Sequence, residues 1–151
     1  MAGGVDMTVA LVHLVAAAYM AGVIWFVQVV HYPLFAEVPP EASARYARVN
    51  QPRTARVVGP AMLVEGITAI WLFVDPPADL SRWLPFISGL VLAVVLLSTV
   101  LVQVPRHARL AEESSSDGLR EVVASLVAGN WIRTVGWSAR AALAAVIVAS
   151  V

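Results

Sequence analysis

The sequence predicts an all-α fold: a polytopic membrane four-helix bundle in one domain over residues 1–151, with a short amphipathic helix at the interface before the last span. Three observations carry this. The chain is 60% hydrophobic and only 13% charged over 151 residues, and its mean hydropathy is +0.79, whereas a soluble domain of this size needs far more polar surface. Four long apolar runs are separated by short polar segments. The arginines gather in two of the three connections and their flanks.

Taken in order, the first run covers residues 8–30 and is broken only by His13 and Gln28. It is too long for a signal-peptide core and has no basic residue before it, so it reads as an uncleaved spanning helix that stops at His31-Tyr32-Pro33. A polar connection from Pro39 to Pro60 follows, within which Glu41 to Val49 forms a short interfacial helix with Tyr46 and Val49 toward lipid. The second span covers 57–74, contains Glu65, and ends at Asp75-Pro76-Pro77. Asp79 to Trp83 reads as a turn. The third span covers 84–104 and is polar only at Ser88, Ser98, Thr99 and Gln103. Glu112 to Asp117 is a solvated loop. Leu119, Val122, Val123, Leu126 and Val127 then recur at helical spacing, which predicts an amphipathic helix on the membrane surface or packed under the bundle. Asp117 is its expected N-cap and Gly129 its terminator. The fourth span covers 131–151.

Four spans place both termini on one side. The first and third connections, with their flanks, hold Arg45, Arg48, Arg53, Arg56, Arg106, Arg109, Arg120 and Arg133, against Arg82 alone on the other side. The positive-inside rule then predicts a multi-pass protein of the inner (plasma) membrane with both termini outside the cytoplasm. Trp131 and Trp83 fit the aromatic belts at the two interfaces. Gly66, Gly89 and the alanines of the last span are read as small residues permitting close helix packing. With no cysteine there is no disulfide framework and no thiolate metal site. No basic tract indicates a nucleic-acid partner.

Glu65 lies nine residues beyond Arg56, about 14 Å inside the boundary at 1.5 Å per residue, and Arg140 lies a similar distance beyond Trp131. An arginine at the bilayer centre costs about 3 kcal/mol or more unless partnered. Opposite charges at matching depth predict a buried Glu65–Arg140 pair. Such a pair can be a clamp that fixes helix register, or Glu65 can handle a proton or ligand under the influence of Arg140. Nearer the arginine-rich side lies a second polar layer: Gln28, His31, Thr99, Gln103, His107, Asn130 and Arg133. Tyr46, Asn50 and Arg53 are placed to cover it as a lid. His31 and His107 are candidate ligands for a transition metal or haem, the alternative being histidines that hydrogen-bond lipid headgroups. His13 is about 27 Å from His31 along one helix and reads as a bundle-facing hydrogen-bonder.

Thr99-Val100-Leu101-Val102-Gln103-Val104-Pro105-Arg106-His107, continuing to Leu110, resembles the end of the third helix in the anthrone-oxygenase-like family of small bacterial membrane proteins. That family's pattern is a threonine, then Asn-Val-Pro-Leu-Asn, then a leucine. Asn130-Trp131-Ile132-Arg133-Thr134 is similar to the family's Asn-x-x-Arg-Thr opening of the last helix, and Gly22 to Phe35 and Tyr46 to Asn50 match more loosely. Position by position, Thr99, Pro105, Leu110, Asn130, Arg133 and Thr134 coincide. Gln103 and His107 stand where the family has asparagines flanking the proline. The resemblance implies a four-helix membrane bundle, a few members of which are associated with oxidation of aromatic polyketides.

Three functions follow as expectations. The first is an oxidoreductase or oxygenase-like bundle acting on a hydrophobic small molecule that enters from the lipid bilayer. Its catalytic candidates are Glu65, Arg140, Asn130 and Arg133, and its cofactor-binding candidates are His31, His107 and Gln103. The cofactor is a haem, a transition metal, or none. The second is a non-enzymatic accessory subunit. The third is a proton-coupled carrier, which four helices can form only as a homo-oligomer.

Overall fold

The computed structural model describes residues 2–78, 80–113 and 115–151, with side chains from Met7 onward. Four long helices follow one another, each long and apolar enough to cross a membrane: Met7–Glu37, Pro40–Val74, Trp83–Glu112 and Ser116–Ala149. Short connections make sequential helices antiparallel neighbours. The first packs against the second and fourth, and the third against the second and fourth, closing a ring of four.

The exterior is apolar, and polar side chains sit inside beside an apolar core. The interior holds His13, Gln28, Glu65, Gln103, Asn130, Thr134 and Arg140, while large apolar side chains such as Val15, Leu63, Ile70, Leu101 and Val135 are exposed. An apolar exterior around a hydrogen-bonded polar interior is what a bilayer solvent selects. The protein is therefore a multi-pass membrane bundle. Trp83 and Trp131 are both exposed.

The helices are longer than the runs that hydropathy marks. The first does not stop at Pro33: it is α-helical to Phe26, widens to a π-turn over Val27–His31, and continues through Tyr32–Leu34 to a 3-10 turn at Phe35–Glu37. The third repeats the device, with α-helix over Trp83–Ser98, a π-turn over Thr99–Gln103, and α-helix over Val104–Glu112. Each π-turn ends two residues before a proline. A proline in a regular helix clashes with the carbonyl four residues back and cannot hydrogen-bond to it. Here the residue before each proline donates five residues back, Tyr32 to the Val27 carbonyl and Val104 to the Thr99 carbonyl. The wider turn takes in the ring without breaking the helix.

The expected interfacial helix over Glu41–Val49 is not a separate element. It is the opening of one helix, Pro40–Val74, that continues through Pro52 and Pro60. The expected amphipathic helix is likewise the opening of Ser116–Ala149, and Gly129 is buried within that helix rather than ending it. Its cap is Ser115, whose hydroxyl accepts from the Gly118 N–H, not Asp117. Leu119, Val123 and Leu126 face the bundle core together with Tyr32, Phe35, Ala47 and Leu110. The bundle therefore extends past the apolar belt at its arginine-rich end. The expected turn from Asp79 and the loop through Ser114 include residues outside those described; around them Asp75–Pro77 and Glu113 are non-helical.

Close packing also falls on different glycines from those expected. Nothing lies within 4 Å of where a Cβ would stand on Gly66 or Gly89. On Gly136 a Cβ would lie 2.3 Å from a Val95 methyl, and on Gly129 it would lie 1.7 Å from an Arg106 guanidinium nitrogen. These two positions, seven residues apart on the fourth helix, are where the third helix approaches its backbone.

Candidate binding cavity and buried ion pair

The sequence-predicted polar residues divide into two clusters. At the arginine-rich end, a cavity of about 360 Å³ opens between all four helices. Its polar wall comprises His31, Tyr32, Asn50, Gln51, Thr54, Thr99, Gln103, His107 and Arg133, and its apolar wall includes Met20, Val23, Ile24, Val27 and Val58. The volume lies toward the lower end of the roughly 300–1,000 Å³ of small-molecule sites. Both π-turns contribute their last residue to it, His31 from the first and Gln103 from the second. His107 follows Gln103 by four residues, one turn further along the same face.

A continuous set of hydrogen bonds leads to this wall from the bundle interior. Gln28 donates to the Val127 carbonyl at 3.1 Å. Its side-chain oxygen accepts from Asn130 at 2.9 Å and from the Thr134 hydroxyl at 3.2 Å. The Asn130 oxygen accepts from Arg133 at 3.2 Å, and Arg133 reaches the Tyr32 hydroxyl at 3.5 Å. That hydroxyl is hydrogen-bonded to His107 Nε2 at 2.8 Å. Gln103 donates to the Leu126 carbonyl at 3.4 Å, and Arg106 to the Ser125 carbonyl at 2.6 Å. Three successive carbonyls of the fourth helix are thus held by side chains from the first and third. Such networks fix the rotamers of their members.

Three buried polar atoms on wall residues have no protein partner: His31 Nε2, Gln103 Oε1 and Arg133 Nε. Buried groups of this kind are normally paired, and these three belong to residues that line the cavity. His31 stands edge-on to Phe35, with ring centroids 5.1 Å apart. Of the expected lid, Asn50 lines the cavity, whereas Tyr46 packs on Phe35 with centroids 5.1 Å apart and Arg53 is exposed. Gln51 and Thr54, on the same helix, take their place.

The second cluster lies about two turns deeper. Arg140 pairs through its guanidinium with Glu65 and donates to the Ser88 carbonyl; it also reaches the Ser88 hydroxyl at 3.1 Å. The Glu65 carbonyl accepts from the Thr68 hydroxyl at 3.0 Å, and Thr68 meets His13 Nδ1 at 2.9 Å. Every helix contributes one residue or more, and both charged side chains are fully buried. Trp137, one turn before Arg140, is wholly buried in the apolar cluster that includes Met20, Ile24 and Val95. Neither Glu65 nor Arg140 lines the cavity. Of the candidate catalytic set, Arg133 reaches the cavity wall, Asn130 buttresses it, and Glu65 and Arg140 stand apart from it.

The two histidines line one cavity, and no third histidine or acidic side chain joins them among the described residues. His107 Nε2 is committed to Tyr32. Paired histidine ligation of a metal or haem through that nitrogen requires breaking the Tyr32 bond. Tyr32, Gln51 and Thr54 are site residues that the sequence reading does not include. The signal for Tyr32 lies in His31-Tyr32-Pro33, which reads as a helix stop but folds as the end of a widened turn with Tyr32 buried. No family model, curated protein or solved structure matches the chain, so the likeness to the anthrone-oxygenase-like pattern rests on the residues quoted for it.

Proposed function

We propose that this protein is an oxygenase-like membrane enzyme that takes a small hydrophobic molecule into the cavity at the arginine-rich end of the bundle. The observation that carries the reading is the Tyr32–His107 hydrogen bond at 2.8 Å on the wall of that cavity. A hydrogen-bonded imidazole and phenol in an apolar pocket form a proton-handling pair. The Arg133 guanidinium beside them stabilises negative charge developing on a bound oxygen. In this proposal His107, with Tyr32, takes a proton from an activated methylene of a hydroxyaromatic substrate. The resulting carbanion reacts with dioxygen, the carbon gaining a carbonyl oxygen while the second oxygen atom leaves as water. The likeness of Thr99, Pro105, Asn130, Arg133 and Thr134 to the family pattern supports the same reading. The arginine distribution supports a cytoplasmic placement of this end, with both termini outside the cytoplasm.

The test is product analysis by mass spectrometry. Protein in lipid nanodiscs is incubated with a tricyclic hydroxyaromatic bearing an activated methylene, under labelled dioxygen. One labelled oxygen in the product is expected, together with a loss of 100-fold or more in His107→Gln, the range of general-base contributions. Turnover unchanged in His107→Gln, or none with the native protein across such substrates, would overturn the reading.

The Glu65–Arg140 pair supports a second role within the same molecule. It joins the second, third and fourth helices away from the cavity, as expected of a clamp that fixes helix register.

A further inference from the structure

The cavity does not stand alone on its side of the bundle. A second hollow of about 520 Å³ follows the seam between the first and second helices, bordered by Leu11, Val15 and Tyr19 on one and by Val57, Pro60 and Val64 on the other. It is almost wholly apolar and open to the side, and Val15 and Val57 are more than half exposed. The two hollows adjoin along the antiparallel pair. The groove ends at Tyr19 and Val57, and the cavity begins at Met20 and Val58. The apolar groove is about 12 Å long, from Leu11 to Tyr19 at 1.5 Å per residue, and it ends at the depth where the polar cavity begins.

The polar end has a definite sign. Among the described residues, Arg133 is the one permanently charged side chain on the cavity wall, and no carboxylate lines it. The unpartnered wall atoms are a guanidinium N–H, an imidazole nitrogen and an amide oxygen. An ammonium head would face Arg133 with no counter-charge, whereas an anionic oxygen would meet its charge directly.

We infer that this site takes a single-chain amphiphile with an anionic oxygen head, whose tail lies in the groove between the first and second helices and whose head is held at Arg133 and His31. The inference rests on the proposed reading of the cavity as a small-molecule site; it adds a second ligand class beside the tricyclic substrate of the oxygenase reading, and a lateral route from lipid. A carboxylate and a phenolate share this head chemistry.

The experiment is photolabelling in nanodiscs with dodecanoate carrying a diazirine near its methyl end, with the matching dodecylamine as control and adducts mapped by mass spectrometry. Adducts are expected on Leu11 to Tyr19 and Val57 to Val64, at least tenfold above the amine. Arg133→Gln should weaken dodecanoate labelling about tenfold. Val15→Trp changes only a lipid-facing side chain; it should weaken dodecanoate but leave competition by hexanoate unchanged. Displacement by 4-dodecyl-2-nitrophenol, assayed above its pKa so that it is a phenolate, at lower concentration than by unlabelled dodecanoate assigns the head to a phenolate, and the reverse order to a carboxylate. Equal labelling by the amine, or adducts spread evenly around the bundle, overturns the inference. Because labelling needs no turnover, a protein that binds the acid in this groove but oxidises nothing retains the inference and loses only the oxygenase reading.

Discussion

Arg140 on the fourth helix and Glu65 on the second form an ion pair in which both side chains are fully excluded from solvent. The pair is tied to the third helix through Ser88. Removing one member leaves the other charge buried and unpaired, at a cost of about 3–5 kcal/mol, whereas replacing both by apolar groups of similar volume is often neutral. Glu65→Leu is therefore expected to unfold at markedly lower denaturant or temperature in detergent. The double variant Glu65→Leu with Arg140→Leu should recover most of the loss. A double variant as unstable as the single one would remove the clamp role.

Tyr32→Phe keeps the ring that packs beside Phe35, with centroids 6.4 Å apart, and removes the hydroxyl that joins Arg133 to His107. Leaving His107 Nε2 without its partner should cost about 1–3 kcal/mol and lower ligand affinity severalfold. Thermal unfolding and equilibrium binding, measured on the same nanodisc sample, check both. Wild-type affinity in this variant would exclude the hydroxyl from the site.

Glycine substitutions should separate along the lines of helix approach. Gly136→Ala drives a methyl into Val95, a buried and β-branched side chain with little freedom to rotate, at an expected cost of about 1–3 kcal/mol. Gly66→Ala meets nothing within 4 Å and should gain up to about 1 kcal/mol from helix propensity. Opposite shifts in unfolding midpoint are the expected result; equal shifts would mean that the third and fourth helices do not touch at Gly136.

Pro105→Ala restores a backbone N–H that can donate to the Leu101 carbonyl and removes the ring that the π-turn over Thr99–Gln103 accommodates. Closing that turn to regular α-helix rotates Gln103 by about 100° relative to the helix that follows it. The variant should be as stable as the native protein or more so, yet bind ligand more weakly. Unchanged binding would show that the π-turn does not set the position of Gln103.

Much of the architecture was legible in the chain because a bilayer imposes few solutions. Only helices of about 20 apolar residues and closed β-barrels satisfy the backbone in hydrocarbon, and four continuous apolar runs of helix length announce four helices. Two opposite charges at equal depth must find each other, and Glu65 and Arg140 do. The residues at the arginine-rich end, His31, Gln103, His107, Asn130 and Arg133, were recognisable as a polar layer by depth alone. Which of them share a cavity, and that Tyr32, Gln51 and Thr54 join them, was decided by tertiary structure. Depth follows from counting residues, but the face a residue presents depends on the helical phase. Each π-turn shifts that phase by about one residue, or 100°. A pattern read at a constant 3.6-residue period loses the phase beyond Val27 and Thr99, where this protein builds its site.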